Sequence, residues 1–142
     1  MFQKIVLWSG VVGLLSHGIF AGSESQAQVK KGKSQPLLTK SWMSGINGPH
    51  CKRLKEILDA GPSDEKAWTE AAMHAEMLNE ASHVLMADGR CPDKVWADAS
   101  TQLREGSAQV IAAVHAKNTD DARSAFGVLV KSCGSCHKAH KK

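Results

Sequence analysis

The sequence predicts an all-α fold: an antiparallel, up-down-up-down four-helix bundle with a kinked first helix. Three observations carry that expectation. From residue 37 onward the apolar residues recur at three- and four-residue steps, the period of a helix with one buried face. Breaks at residues 61–63, 88–93 and 118–119 divide this region into four stretches. No segment alternates apolar and polar residues as a half-buried strand would, and none of the four Pro residues lies beyond Pro92.

The first stretch covers residues 37–60, with Leu38, Trp42, Ile46, Leu54, Ile57 and Leu58 close to one face. Pro49 lies inside it, after Gly45 and Gly48, and predicts a kink or a split. Gly61-Pro62-Ser63 ends the stretch, and Ser63 is placed to cap the second helix over residues 64–86. Trp68, Ala71, Ala72, Ala75, Leu78, Ser82 and Leu85 form the inner face of that helix. After Asp88-Gly89 and a turn at residues 90–93, the third helix spans residues 93–116 through Val95, Trp96, Ala99, Leu103, Val110, Ile111 and Val114. Thr119 is placed to cap the fourth, over residues 120–139, with Ala122, Phe126, Leu129, Val130 and Cys133 inward. Helices of about 20 residues are about 30 Å long, and the short connections make neighbours antiparallel.

Upstream of the bundle, residues 1–27 read as a secretory signal. Lys4 supplies the charged start, residues 5–21 are mostly apolar, and small residues follow, with cleavage near residue 23 or 27. The rival, a membrane anchor, requires about 20 uninterrupted apolar residues, and this segment is shorter and broken by Ser and His17. Residues 28–36 form a polar, basic lead-in, and residues 37–142 the bundle. The mature chain is therefore expected to be exported to the periplasm, without a stable membrane span, where thiols can oxidise. Its formal net charge is +4, with Lys and acidic residues interspersed and no block of like charges. That composition does not point to nucleic acid, and leaves a weak attraction to an acidic redox partner.

The chemistry is concentrated in Cys133-Gly134-Ser135-Cys136-His137. C-x-x-C-H is the pattern of covalent haem attachment: two thiols on one helical turn meet the two vinyl groups, and the next His offers iron a nitrogen. Small residues at 134 and 135 leave room for the macrocycle. A zinc site would need two more ligands, for which Cys51 and Cys91 are the available cysteines, although neither belongs to a C-x-x-C pair. A thioredoxin-like pair should follow a strand and open a helix, whereas this motif closes one. One haem c per chain is the expected cofactor.

With these residues in view, the chain resembles the cytochrome c′ and cytochrome c556 family over about residues 37–141. The match rests on CGSCH near the C-terminus, on Pro92-Asp93-Lys94-Val95-Trp96, similar to the opening of the family's third helix, and on residues 122–126 before the motif. The resemblance implies an exported four-helix bundle with His137 as axial ligand. It also implies one of two sixth-position states, a Met from the first helix or an apolar residue that leaves iron five-coordinate. Met43 is the candidate Met. Counting back from Gly48 and His50 puts the family position nearer Ser44, and a one-residue bulge across residues 45–49 would bring Met43 into it. At the family's Arg position, four residues after the haem His, this chain has Lys141. Members often dimerise through the first two helices, so a homodimer is one expectation.

Cys51 and Cys91 remain once haem takes two thiols; in an exported chain they form a disulfide or stay as buried free thiols. Met73, Met77 and Met86 read as packing residues, and His74, His83 and His115 as ordinary surface or core histidines. His50 and His140 are secondary candidates near the haem. Three functions follow in order: periplasmic electron transfer with Met43 bound, a five-coordinate haem binding NO or CO, and last a peroxidase, for which His50 would be the distal residue. The expected class is therefore a carrier and not an enzyme.

Overall fold

The computed structural model describes residues 37–141; the expected signal segment and lead-in, residues 1–36, lie outside them. All regular structure among the described residues is helical: α1 (Thr39–Trp42), a π-helical segment (Met43–Asn47), α2 (Gly48–Ala60), α3 (Glu65–Val84), α4 (Lys94–His115) and α5 (Thr119–His140). No helix among them is long and apolar enough to cross a membrane.

The first rod, α1 to α2, is neither split nor simply kinked at Pro49. The Gly48 amide donates to the Met43 carbonyl, five residues back, in place of an α-type bond. Pro49 has no N–H, so the wider π turn absorbs the α-type hydrogen bond that proline cannot make. A Cβ on Gly48 would stand 3.0 Å from the Met43 oxygen, so a side chain there would crowd that carbonyl. The π turn is a one-residue bulge over Met43–Asn47, overlapping the residues 45–49 at which the sequence allows one.

Capping departs from expectation by one residue at two helices. Asp64, not Ser63, starts α3: its backbone is extended and its carboxylate accepts from the Ala67 amide at 2.7 Å. Asn118, not Thr119, starts α5, accepting from Asp121 N at 3.1 Å. A carboxylate at the cap also meets the positive end of the helix dipole, which favours Asp64 over its serine neighbour. Asp93 caps α4 through the Trp96 amide at 3.0 Å. The Trp96 indole then donates to the Leu85 carbonyl at 2.7 Å, which pins α4 to the end of α3.

α2 packs on α3, α3 on α4, α4 on α5, and α2 also on α5. Leu54, Leu58, Leu78, Val110, Val114 and Leu129 are fully buried between them. Each such side chain contributes about 1.5–3 kcal/mol by leaving water. α4 and α5 approach closely at Gly106, where a Cβ would lie 3.1 Å from Leu129 Cα. Polar cross-links tie the ends. Arg123 on α5 donates to the Leu58 and Asp59 carbonyls at 2.8 and 3.1 Å, closing the C-terminus of α2. Arg90 reaches the Leu37 carbonyl at 2.9 Å and anchors the start of the rod to the α3–α4 turn.

Candidate functional site

One face of α5 does not meet another helix directly. Between it, the π segment, α2 and α4 lies a cavity of about 660 Å³, within the roughly 300–1,000 Å³ of small-molecule and cofactor sites. Its apolar wall comes from Leu85, Ala99, Leu103, Phe126 and Val130. The remaining wall carries Cys133, Cys136 and His137 from α5, with Met43, Asn47 and Cys51 from the first rod. Lys52 and Lys55 also line it from α2.

The structure thus brings five of the residues singled out in the sequence, Met43, Cys51, Cys133, Cys136 and His137, to one cavity. Cys136 is buried, Cys133 and Met43 are half-buried, and His137 is exposed. Two thiols, an imidazole and a thioether suit a haem iron and its vinyl groups better than a hard cation, whose ligands are oxygens. Asn47 adds a second sign of fit: it is buried at the wall, and its Oδ1 has no hydrogen-bond partner. Among the described residues, no group of three or more His, Cys, Asp or Glu side chains is placed to hold a metal ion.

The thiols are not activated. Burial pushes the Cys51 thiol up to about 11, with the nearness of Cys133 adding to it. Burial likewise raises Cys133 and Cys136. Reactive dithiol pairs sit at helix N-termini, where the dipole lowers the thiol; this pair lies in the last turns of α5, at the opposite pole.

The other cysteines and histidines lie elsewhere. All four cysteines are free in the structure. Cys51 faces the cavity, and Cys91 sits in the α3–α4 turn with its Sγ 3.4 Å from the Asp93 carbonyl oxygen. His50 does not line the cavity: its Nδ1 stands 2.8 Å from His74 Nδ1, turned toward α3. His74 continues to Glu70 at 3.7 Å, and Glu70 to Arg53 at 2.8 Å. His140 packs edge-on against Trp96 with Nε2 3.4 Å from Asp93 Oδ1. Met73 and Met86, expected as packing residues, are exposed.

Asn47, Lys52 and Lys55 were missed by sequence reasoning. A signal was present: Met43, Asn47, Cys51 and Lys55 fall at four-residue steps, one row along a helix. No protein-family model, curated protein or solved structure matches the chain. The family resemblance therefore stands on the motif residues alone.

Proposed function

We propose that this chain is a c-type cytochrome of the cytochrome c′ and c556 kind, carrying one haem on Cys133 and Cys136 with His137 as axial ligand, and that it transfers electrons outside the cytoplasm. The observation that carries this reading is the shared cavity wall, which holds the C-x-x-C-H residues and Met43 together. The neighbour pattern of α2 to α5, in which each helix packs on the next and the last on the first, supports an antiparallel up-down-up-down bundle around that site.

Haem, when bound, supplies the one-electron chemistry of iron. The protein supplies the rest. Cys133 and Cys136 would hold the group covalently, His137 would offer iron a nitrogen and Met43 a thioether sulfur, and a Met donor tends to raise the potential. Leu103, Phe126 and the other apolar wall residues exclude water and favour the lower-charged state. Lys52 and Lys55 also line the cavity, each paired with an acidic residue of α2, Glu56 at 3.9 Å and Asp59.

Absorption spectra of the ferric and ferrous protein, with and without carbon monoxide, test the carrier reading. We expect a low-spin haem that takes up carbon monoxide poorly, and a Met43→Ala variant that turns high-spin and binds it at least about tenfold more tightly, a change of about 1.4 kcal/mol. A wild-type haem that is high-spin and binds carbon monoxide readily would assign the protein to NO or CO binding instead.

A further inference from the structure

Two histidines take no part in the haem reading. His50, in the first turn of α2, and His74, within α3, bring their Nδ1 atoms 2.8 Å apart. His74 is buried and His50 half-buried, so solvent reaches the pair from the His50 side. Neither ring lines the cavity.

Two Nδ1 atoms in contact need one proton between them. Glu70 stands 3.7 Å from His74 Nε2, and Arg53 Nε donates to its carboxylate at 2.8 Å. A carboxylate on that side draws the His74 proton to Nε2 and leaves a lone pair on Nδ1. His50 Nδ1–H then donates to that lone pair. A carboxylate behind an imidazole is also how proteins orient a histidine toward a metal ion.

We propose that His50 and His74 form a binding site for a divalent late transition-metal ion, Cu²⁺ or Ni²⁺, held between α2 and α3 by the two Nδ1 atoms. Haem takes no part in this site.

The spacing selects the ion. Two imidazole nitrogens, each about 2.0–2.1 Å from one ion, lie roughly 2.9 Å apart at a right angle and roughly 3.4 Å apart at the tetrahedral angle. The observed 2.8 Å matches the first, the angle between neighbouring ligands of a square-planar or octahedral ion. The ring planes are inclined by 57° with centroids 4.9 Å apart, so the rings meet obliquely. Rotation of His50, the less buried ring, turns both lone pairs onto one point.

On binding, the His50 proton passes through solvent from Nδ1 to Nε2, and both rings stay neutral. Among the described residues no third His, Cys, Asp or Glu completes the set, so water fills the remaining positions. Glu70 faces the far nitrogen of His74 and balances part of the added charge. Arg53 is an opposing cation, and its pairing with Glu70 limits the repulsion.

The test uses Ni²⁺, which leaves thiols unoxidised, and the full wild-type chain. Histidine ring signals are followed by NMR as Ni²⁺ is added below one equivalent. We expect those of His50 and His74 to shift or broaden first. A first effect at His83, His115 or His137, or unchanged His50 and His74 signals at one equivalent, would overturn the proposal. These spectra need no variant, so they decide the matter even where a substitution unfolds the chain. Calorimetric titration should then give one Ni²⁺ per chain, with affinity at least tenfold lower in His50→Gln and in His74→Gln. Glu70→Gln should weaken binding about tenfold, and Cys51→Ser should leave it unchanged. Equal affinity in the wild type and His50→Gln would sink the site, and loss in Cys51→Ser would move the ion to the cavity thiols and overturn it equally.

Discussion

The two halves of α5 do opposite work with the same helix. In its first half, Ala122, Ala125, Phe126 and Leu129 are buried, and Leu129 presses on α4 at the one place where that helix carries glycine. In its second half, Cys133 is half-buried, Gly134, Ser135 and His137 are exposed, and the face that would meet a neighbour lines a cavity. A helix in a small bundle normally fills its inner face with apolar side chains. Here the filling thins at the residues that carry chemistry: Ser132 and Cys136 are still buried, while Cys133, Cys136 and His137 line the cavity. The first half is a packing element and the second a platform.

Substitutions that respect this division should give effects of different kind, not only of different size. The largest belongs to the platform: Cys133→Ser with Cys136→Ser should abolish covalent haem altogether, read as haem mass and haem stain on a denaturing gel, while far-ultraviolet circular dichroism stays helical. Next comes a matched pair of glycines. Gly106→Ala pushes a methyl against the Leu129 backbone, 3.1 Å from its Cα, and should destabilise by about 1–3 kcal/mol in urea unfolding. Gly127→Ala meets nothing within 4 Å and should stabilise the haem-free chain by up to about 1 kcal/mol through helix propensity alone. If both glycines behaved alike, the contrast between the packed seam and the open face would be wrong.

A smaller effect tests α3, away from the cavity. Burial, and then the neighbouring His50, hold His74 below the usual imidazole range. The folded protein therefore resists protonating this ring, whereas the unfolded chain takes the proton near pH 6.5. As pH falls through that value the unfolded state binds more protons, so stability is lost below about pH 6.5 and is full above it. His74→Gln should flatten the fall of urea-unfolding stability between pH 7 and 5. An unchanged slope in that variant would remove His74 as its source.

Much of the architecture was legible because it is written in periodicity. The helices end within about two residues of where the apolar pattern places them, the uncertainty normal for helix ends. The misplaced caps at Ser63 and Thr119 have a common cause: in each case two adjacent residues can cap, and only the backbone shows which is extended. Pro49 announced a disturbance but not its form, since kink, break and π turn all answer a missing N–H. The C-x-x-C-H residues were readable because their chemistry is local in sequence. Asn47, Gly106 and the His50–His74 pair depend on contacts across 24 or so positions or on interhelical distance, which no single-helix pattern encodes.

The most direct test of the central claim is a pyridine haemochrome spectrum, with the intact mass, of the wild-type chain produced in cells able to attach haem c. The account predicts a c-type α band, one haem per chain, and a mass increment that survives acid–acetone extraction and maps to the peptide holding Cys133 and Cys136. A protein without that band, with both cysteines recovered as free thiols, would contradict it.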